Sequence, residues 1–167
     1  MMKKENKSGT PREIVSYLIF GVLATAVAMV TYFGILWLGE YIFAVDPLKS
    51  DFYYVRLVAE ILQWIVAVLF AFFTNKKWVF TDADSNAPTV KQLAIFSGGR
   101  LVTLGLDALL TFGTVWVLLS SGYVEFSINV LITLNLTADL IAKLVASVVV
   151  VVTNYFISKL FVFKKAK

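Results

Sequence analysis

Four long apolar runs dominate the chain, and short polar stretches separate them. Residues 14–39 form a run of 26 residues without a charge. That exceeds the roughly 20 residues a helix needs to cross a bilayer. The pattern predicts four membrane helices, over residues 14–38, 54–76, 92–119 and 136–160. Residues 126–136 are also apolar, and read either as a longer fourth helix or as a short interfacial helix before it. Polar and small residues recur at steps of three and four, which gathers them on single helical faces. On the second helix these are Arg56, Glu60, Gln63, Ala67, Ala71 and Asn75; on the fourth, Asp139, Lys143, Ser147, Val150, Asn154 and Ser158. The third carries Arg100, Thr103, Asp107, Thr111 and Thr114, while the first offers only Gly21, Thr25 and Ala28. Lipid does not tolerate such stripes, so they are expected to converge.

The chain also repeats itself. An offset of 83 residues carries Arg56 onto Asp139 and Glu60 onto Lys143, with the signs reversed. The same offset superposes the endings "FFTNKKWVF" (residues 72–80) and "YFISKLFVF" (residues 155–163). In the first and third helices, "GVLAT" at 21–25 matches "GRLVT" at 99–103, a spacing of small residues that lets helices approach closely. The expected organisation is one membrane domain over residues 1–167. Its first helix-pair repeat is 1–80, a cytoplasmic loop is 81–91, the second repeat is 92–163, and a basic tail is 164–167.

Composition agrees with a membrane protein. The chain is 59% hydrophobic with a mean hydropathy of +0.82, and 16% of its residues are charged, against about 25% in soluble domains. Eleven of the fifteen basic residues fall in the N-terminal arm, the stretch 75–91 and the C-terminal end. Only Lys49 lies in the 40–53 loop and none in 120–126. The positive-inside rule then places both termini in the cytoplasm, and makes the two helix pairs parallel repeats. The arm resembles the basic start of a signal peptide, but the apolar run behind it is too long, so it reads as a retained helix. The net charge of +4 is spread over tails and loop, which argues against a nucleic-acid partner. With no Cys and no His, disulfides, thiolate metal sites and the commonest general base are excluded. There is no phosphate-cradling Gly loop and no nucleophile with a base, so the chain reads as a non-enzyme without cofactor or metal. Asp82 and Asp84, with Ser85, Asn86 and Pro88, read as turn residues.

The remaining charges lie in the spans: Arg56, Arg100 and Lys143 against Glu60, Asp107 and Asp139. Each costs at least ~2.5–3.5 kcal/mol at mid-helix by insertion scales, so such groups pair and usually serve function. Two arrangements are open for the repeated pairs. Arg56 with Glu60, and Asp139 with Lys143, can pair within their helices and snorkel outward. Alternatively Arg56 faces Asp139 and Glu60 faces Lys143 across the halves. Asp107 is too short and too deep to snorkel; its expected partner is Arg100 or Lys143. Lys76, Lys77 and Trp78 read as interfacial anchors, or Asn75 and Lys76 hold a headgroup phosphate.

At this point the sequence resembles a family. Four spans, the opening "LIFGVLAT" (residues 18–25) and "NKKWVF" (residues 75–80) are similar to the GtrA-like membrane proteins. In that family an acidic residue commonly follows the first-helix Thr by three positions. Ala28 stands there in this chain, and Asp107 in the second half can supply the carboxylate. The resemblance implies the bacterial cytoplasmic membrane and a role in cell-surface polysaccharide synthesis. It implies movement of a polyprenyl-phosphate-linked sugar across the membrane, for a membrane glycosyltransferase acting outside. The small-residue faces permit a homodimer, which would enlarge the pathway. Arg56, Arg100 and Lys143 then suit the phosphate. Glu60, Asp107, Asp139 and Gln63 suit sugar hydroxyls, and Asn75 and Lys76 complete the expected substrate-binding set. Two other readings stay open: a non-transporting subunit that scaffolds a glycosyltransferase, and a small proton-coupled drug exporter.

Overall fold

The computed structural model describes residues 11–41, 52–84, 87–124, 126–129 and 133–164. The chain is a membrane protein whose spanning part is all-α, with four helices long and apolar enough to cross a bilayer. These are α1 (Pro11–Tyr41), α2 (Phe52–Thr74), α3 (Thr89–Ser120) and α4 (Ala138–Ile157). At ~1.5 Å per residue, α1 is about 46 Å long, beyond the ~30 Å hydrocarbon core. Large apolar residues lie exposed along every helix, including Val30 and Phe33 of α1, Leu69 and Phe73 of α2, Leu109, Phe112 and Trp116 of α3, and Val148 of α4. Lipid is the solvent these faces suit.

By contacts the chain divides into two compact units, one ending at Ser85 and the other running from Asn86 to Lys164. In the first, α1 packs on α2, and Gly39 lets the two backbones close. A Cβ on Gly39 would fall 2.5 Å from Val55 Cγ1. In the second unit α3 packs on α4, and Gly99 does the same work against Ile157, where a Cβ would fall 2.7 Å from Cγ2. Small residues allow this approach where lipid supplies no hydrophobic drive between helices. Ala59, Ala142 and Ala146 are fully buried for the same reason.

The same local structure occurs in each unit. The second helix of each unit ends in a π turn, Asn75–Val79 after α2 and Ser158–Val162 after α4, 83 residues apart. Phe80 N donates to Asn75 O and Phe163 N to Ser158 O, both at 2.8 Å. The closing phenylalanine leaves the helix at φ −99°, ψ 60° in one and φ −103°, ψ 54° in the other. Each ring then docks on the partner helix: Phe80 on Tyr17 at 6.3 Å, and Phe163 on Phe96 at 6.2 Å. A lysine caps an aromatic ring in both, Lys76 over Phe72 at 5.9 Å and Lys159 over Tyr155 at 5.1 Å.

The structure departs from the sequence reading between the third and fourth helices and in the register of the first helices. Residues 126–136 are not helical: β1 (Phe126–Asn129) pairs antiparallel with β2 (Thr133–Leu136), Phe126 opposite Leu136. Aliphatic and β-branched side chains suit a strand as well as a helix, and apolarity alone does not separate the two. The fourth helix starts after Leu136, where Thr137 accepts from Leu140 N at 3.1 Å as an N-cap. The first helices align at 79 residues rather than 78, since buried Tyr17 and Ala24 stand where the second unit buries Phe96 and Thr103. Glycines and threonines match by type at 78 residues, but the buried face sets the register. The third helix stops where Gly122 turns to φ 77°. There Tyr123 N reaches Leu118 O and Gly122 N reaches Leu119 O, a Schellman end that favours glycine.

Candidate functional site

The polar stripe of α3 faces α4 within the second unit. Thr103 is 1% exposed and its hydroxyl donates to Asn154 Oδ1 at 3.0 Å, while Asn154 is itself buried. One turn along, Lys143 Nζ reaches across to Asp107 Oδ2 at 2.5 Å. Lys143 is thus partnered from the neighbouring helix, not by Asp139 on its own. Asp139 lies exposed in the first turn of α4, where a carboxylate complements the helix dipole. Of the pairings that spacing leaves open, the intrahelical Asp139–Lys143 pair is not formed, and Asp107 takes Lys143, one of its two expected partners. The opposite charge that Lys143 needs sits on the helix it packs against. Arg100, one turn before Thr103, lays its guanidinium over the Phe96 ring at 5.0 Å.

In the first unit the corresponding interior is plain. Ala24 and Ala71 stand where the second unit has Thr103 and Asn154, and Ala28 stands where it has Asp107. Glu60, the counterpart of Lys143, accepts from Gln63 Nε2 at 2.5 Å on its own helix. Arg56 and Glu60 are exposed, and both lie on α2 one turn apart. Asn75 is buried at the start of the first π turn, and its Oδ1 has no hydrogen-bond partner. Lys76 follows it, half-buried over Phe72. Lys77 lies over Trp78 at 4.8 Å, and Trp78 stacks on Phe20 at 5.4 Å.

Of the nine candidate residues, the structure thus joins Asp107 with Lys143 and Glu60 with Gln63. Arg100 sits on the Asp107 face of α3. Asn75 and Lys76 stand at the far end of α2, about 22 Å along the axis from Glu60 at 1.5 Å per residue. Sequence reasoning left Thr103 and Asn154 out of the substrate set, although both lay on the polar stripes. Comparing the halves finds them: they are the buried polar positions that the first unit fills with alanine. Chemically, the α3–α4 unit offers a hydroxyl, an amide, a neutralised ion pair and a guanidinium on one face. An anionic group bearing hydroxyls can exchange partners along such a row.

A family model described as "GtrA/DPMS, transmembrane domain" matches residues 16–163. The "Cell wall teichoic acid glycosylation protein GtcA" of Listeria innocua serovar 6a is 35% identical over 158 residues, 92% of this chain and 86% of the relative. Its namesake in Listeria monocytogenes serovar 1/2a is 34% identical over the same shares. The "Uncharacterized membrane protein YwcD" of Bacillus subtilis is 30% identical over 90% of this chain and 96% of the relative. No solved structure matches.

Proposed function

Because the chain belongs to the GtrA/DPMS transmembrane-domain family, we propose that it moves a polyprenyl-phosphate-linked sugar across the bacterial cytoplasmic membrane for glycosylation of a cell-wall polymer. The names of the two Listeria relatives support the destination of the sugar. The polar interior of the α3–α4 unit carries the transport half of the reading. There Asp107 and Lys143 form an ion pair, in a helix pair whose outward faces are apolar.

The pair keeps the empty site neutral, which limits the cost of holding charge in lipid. An arriving phosphate competes with Asp107 for Lys143, and the released carboxylate accepts from sugar hydroxyls. Arg100 gives the phosphate a second cation along the same helix, and its planar fork suits two phosphate oxygens. Within this unit, Asp139 at the start of α4 would meet the headgroup toward the outer end. The tail stays in lipid throughout. No covalent bond is made or broken in this scheme. A membrane glycosyltransferase then uses the delivered sugar.

The test is made in cells. A strain lacking this chain but keeping its transferase should lose wall-polymer glycosylation while the lipid-linked sugar accumulates. Loss of glycosylation with normal lipid levels and normal transport of labelled lipid would instead fit a subunit that supports the transferase.

A further inference from the structure

Gln92 is the fourth residue of α3 and lies four and eight positions before Phe96 and Arg100. Those steps put it on the same helical face. Gln92 is 3% exposed, and neither its Nε2 nor its Oε1 has a hydrogen-bond partner. An amide enclosed in this way destabilises the fold relative to an apolar side chain of equal length. Native structures hold few such groups, and each calls for a role. The first unit places Glu13 at the equivalent position, and Glu13 does have a partner. At this helix position the unpartnered amide belongs to the unit that also holds the Asp107–Lys143 pair, and unlike Asn75, which lacks a partner for Oδ1, Gln92 lacks one for both its amide atoms.

We propose that Gln92 is a sugar-reading residue, whose amide binds a hydroxyl of the hexose on the polyprenyl phosphate near the Thr89 end of α3. This rests on the lipid-linked-sugar reading above. The chemistry selects the hydroxyl over the phosphate. An amide presents both donor and acceptor, as a hydroxyl does, so both unsatisfied atoms find partners on a sugar. A phosphate monoanion or dianion mainly accepts, and would leave Oε1 unpaired. Arg100, about 12 Å further along the axis at 1.5 Å per residue, suits the phosphate instead. The amide is closed off in this conformation, so the sugar binds a second one in which the site opens.

The test uses the purified full chain in detergent or nanodiscs. The probes are short-chain polyprenyl-phosphate glucose, galactose and N-acetylglucosamine, with bare polyprenyl phosphate as reference. Gln92→Met keeps the length and removes donor and acceptor; Gln92→Leu is the second variant. The expected result is a roughly tenfold loss of affinity for the hexose lipid that the wild type prefers, the size of one desolvated hydrogen bond. Binding of the bare phosphate should not change, and the ligand-free Tm should stay level or rise. An unchanged hexose affinity, an equal loss on bare phosphate, or a lowered Tm in both variants would overturn the inference and leave the transport reading standing. A wild type that prefers no hexose lipid over bare phosphate would instead overturn the reading on which it rests.

Discussion

Neutralising one member of the Asp107–Lys143 pair should harm the fold, and removing both should not. Asp107→Asn leaves Lys143 without its carboxylate, and Lys143→Met leaves Asp107 without its ammonium. Breaking a fully buried pair costs about 3–5 kcal/mol. Here the Lys143 side chain is 61% exposed and that of Asp107 22%, so part of the charge can be met by snorkelling and local water. A discounted estimate is about 1–2 kcal/mol for each single change, close to the median insertion cost of one charge less its relief. The double variant removes both desolvation costs and should lie within ~1 kcal/mol of wild type. Thermal unfolding in detergent, followed by tryptophan fluorescence, reads all four corners of the cycle. The coupling energy should be at least about 1 kcal/mol and favourable. Additive effects, or single variants as stable as wild type, would refute the pairing as a structural element. The same double variant separates lock from site: stable protein without wall-polymer glycosylation marks the pair as part of the substrate path.

Three further outcomes follow from the geometry. Gly99→Leu should force α3 off Ile157 and cost about 1–3 kcal/mol by overpacking, with partial recovery in Gly99→Leu/Ile157→Ala, read as Tm. Thr103→Val removes the donor to Asn154 and should cost ~0.6–1.7 kcal/mol, the range of interhelical hydrogen bonds in membranes. Asn154→Ala in the Thr103→Val background should then add less than it does alone. The natural chain has no cysteine, so single cysteines at Lys3 and Lys165 report topology cleanly. Both should label only from the cytoplasmic side, and labelling of either from outside would reverse the orientation drawn from the basic residues.

Much of the fold was legible because hydrophobic length is a strong signal in this solvent. A 26-residue uncharged run admits one interpretation, and the aromatic-basic endings marked where α2 and α4 stop. The sequence could not show that both endings are π turns, since no residue type demands one. The antiparallel strands at 126–129 and 133–136 were hidden for the opposite reason. Their apolar residues fit helix and strand alike. For the site, the depth and short side chain of Asp107 pointed to Arg100 or Lys143 as its partner, and Lys143 is the one it has. Four-residue steps left Lys143 two further partners, Asp139 on its own helix or Glu60; the N-cap at Thr137 places Asp139 in the first turn of α4. Asp107, on the helix packed alongside, takes the lysine. Gln92 carried no charge and no motif, and only its burial without partners sets it apart.

Movement of the lipid itself is the most direct measure of the central claim. The full chain, reconstituted in liposomes, is given a fluorescent polyprenyl-phosphate hexose in both leaflets, and an impermeant reagent then destroys the outer pool. The account predicts that the protected inner pool falls toward zero with wild type, and stays near half with the stable Asp107→Asn/Lys143→Met variant. An inner pool that stays near half with wild-type protein would contradict the account.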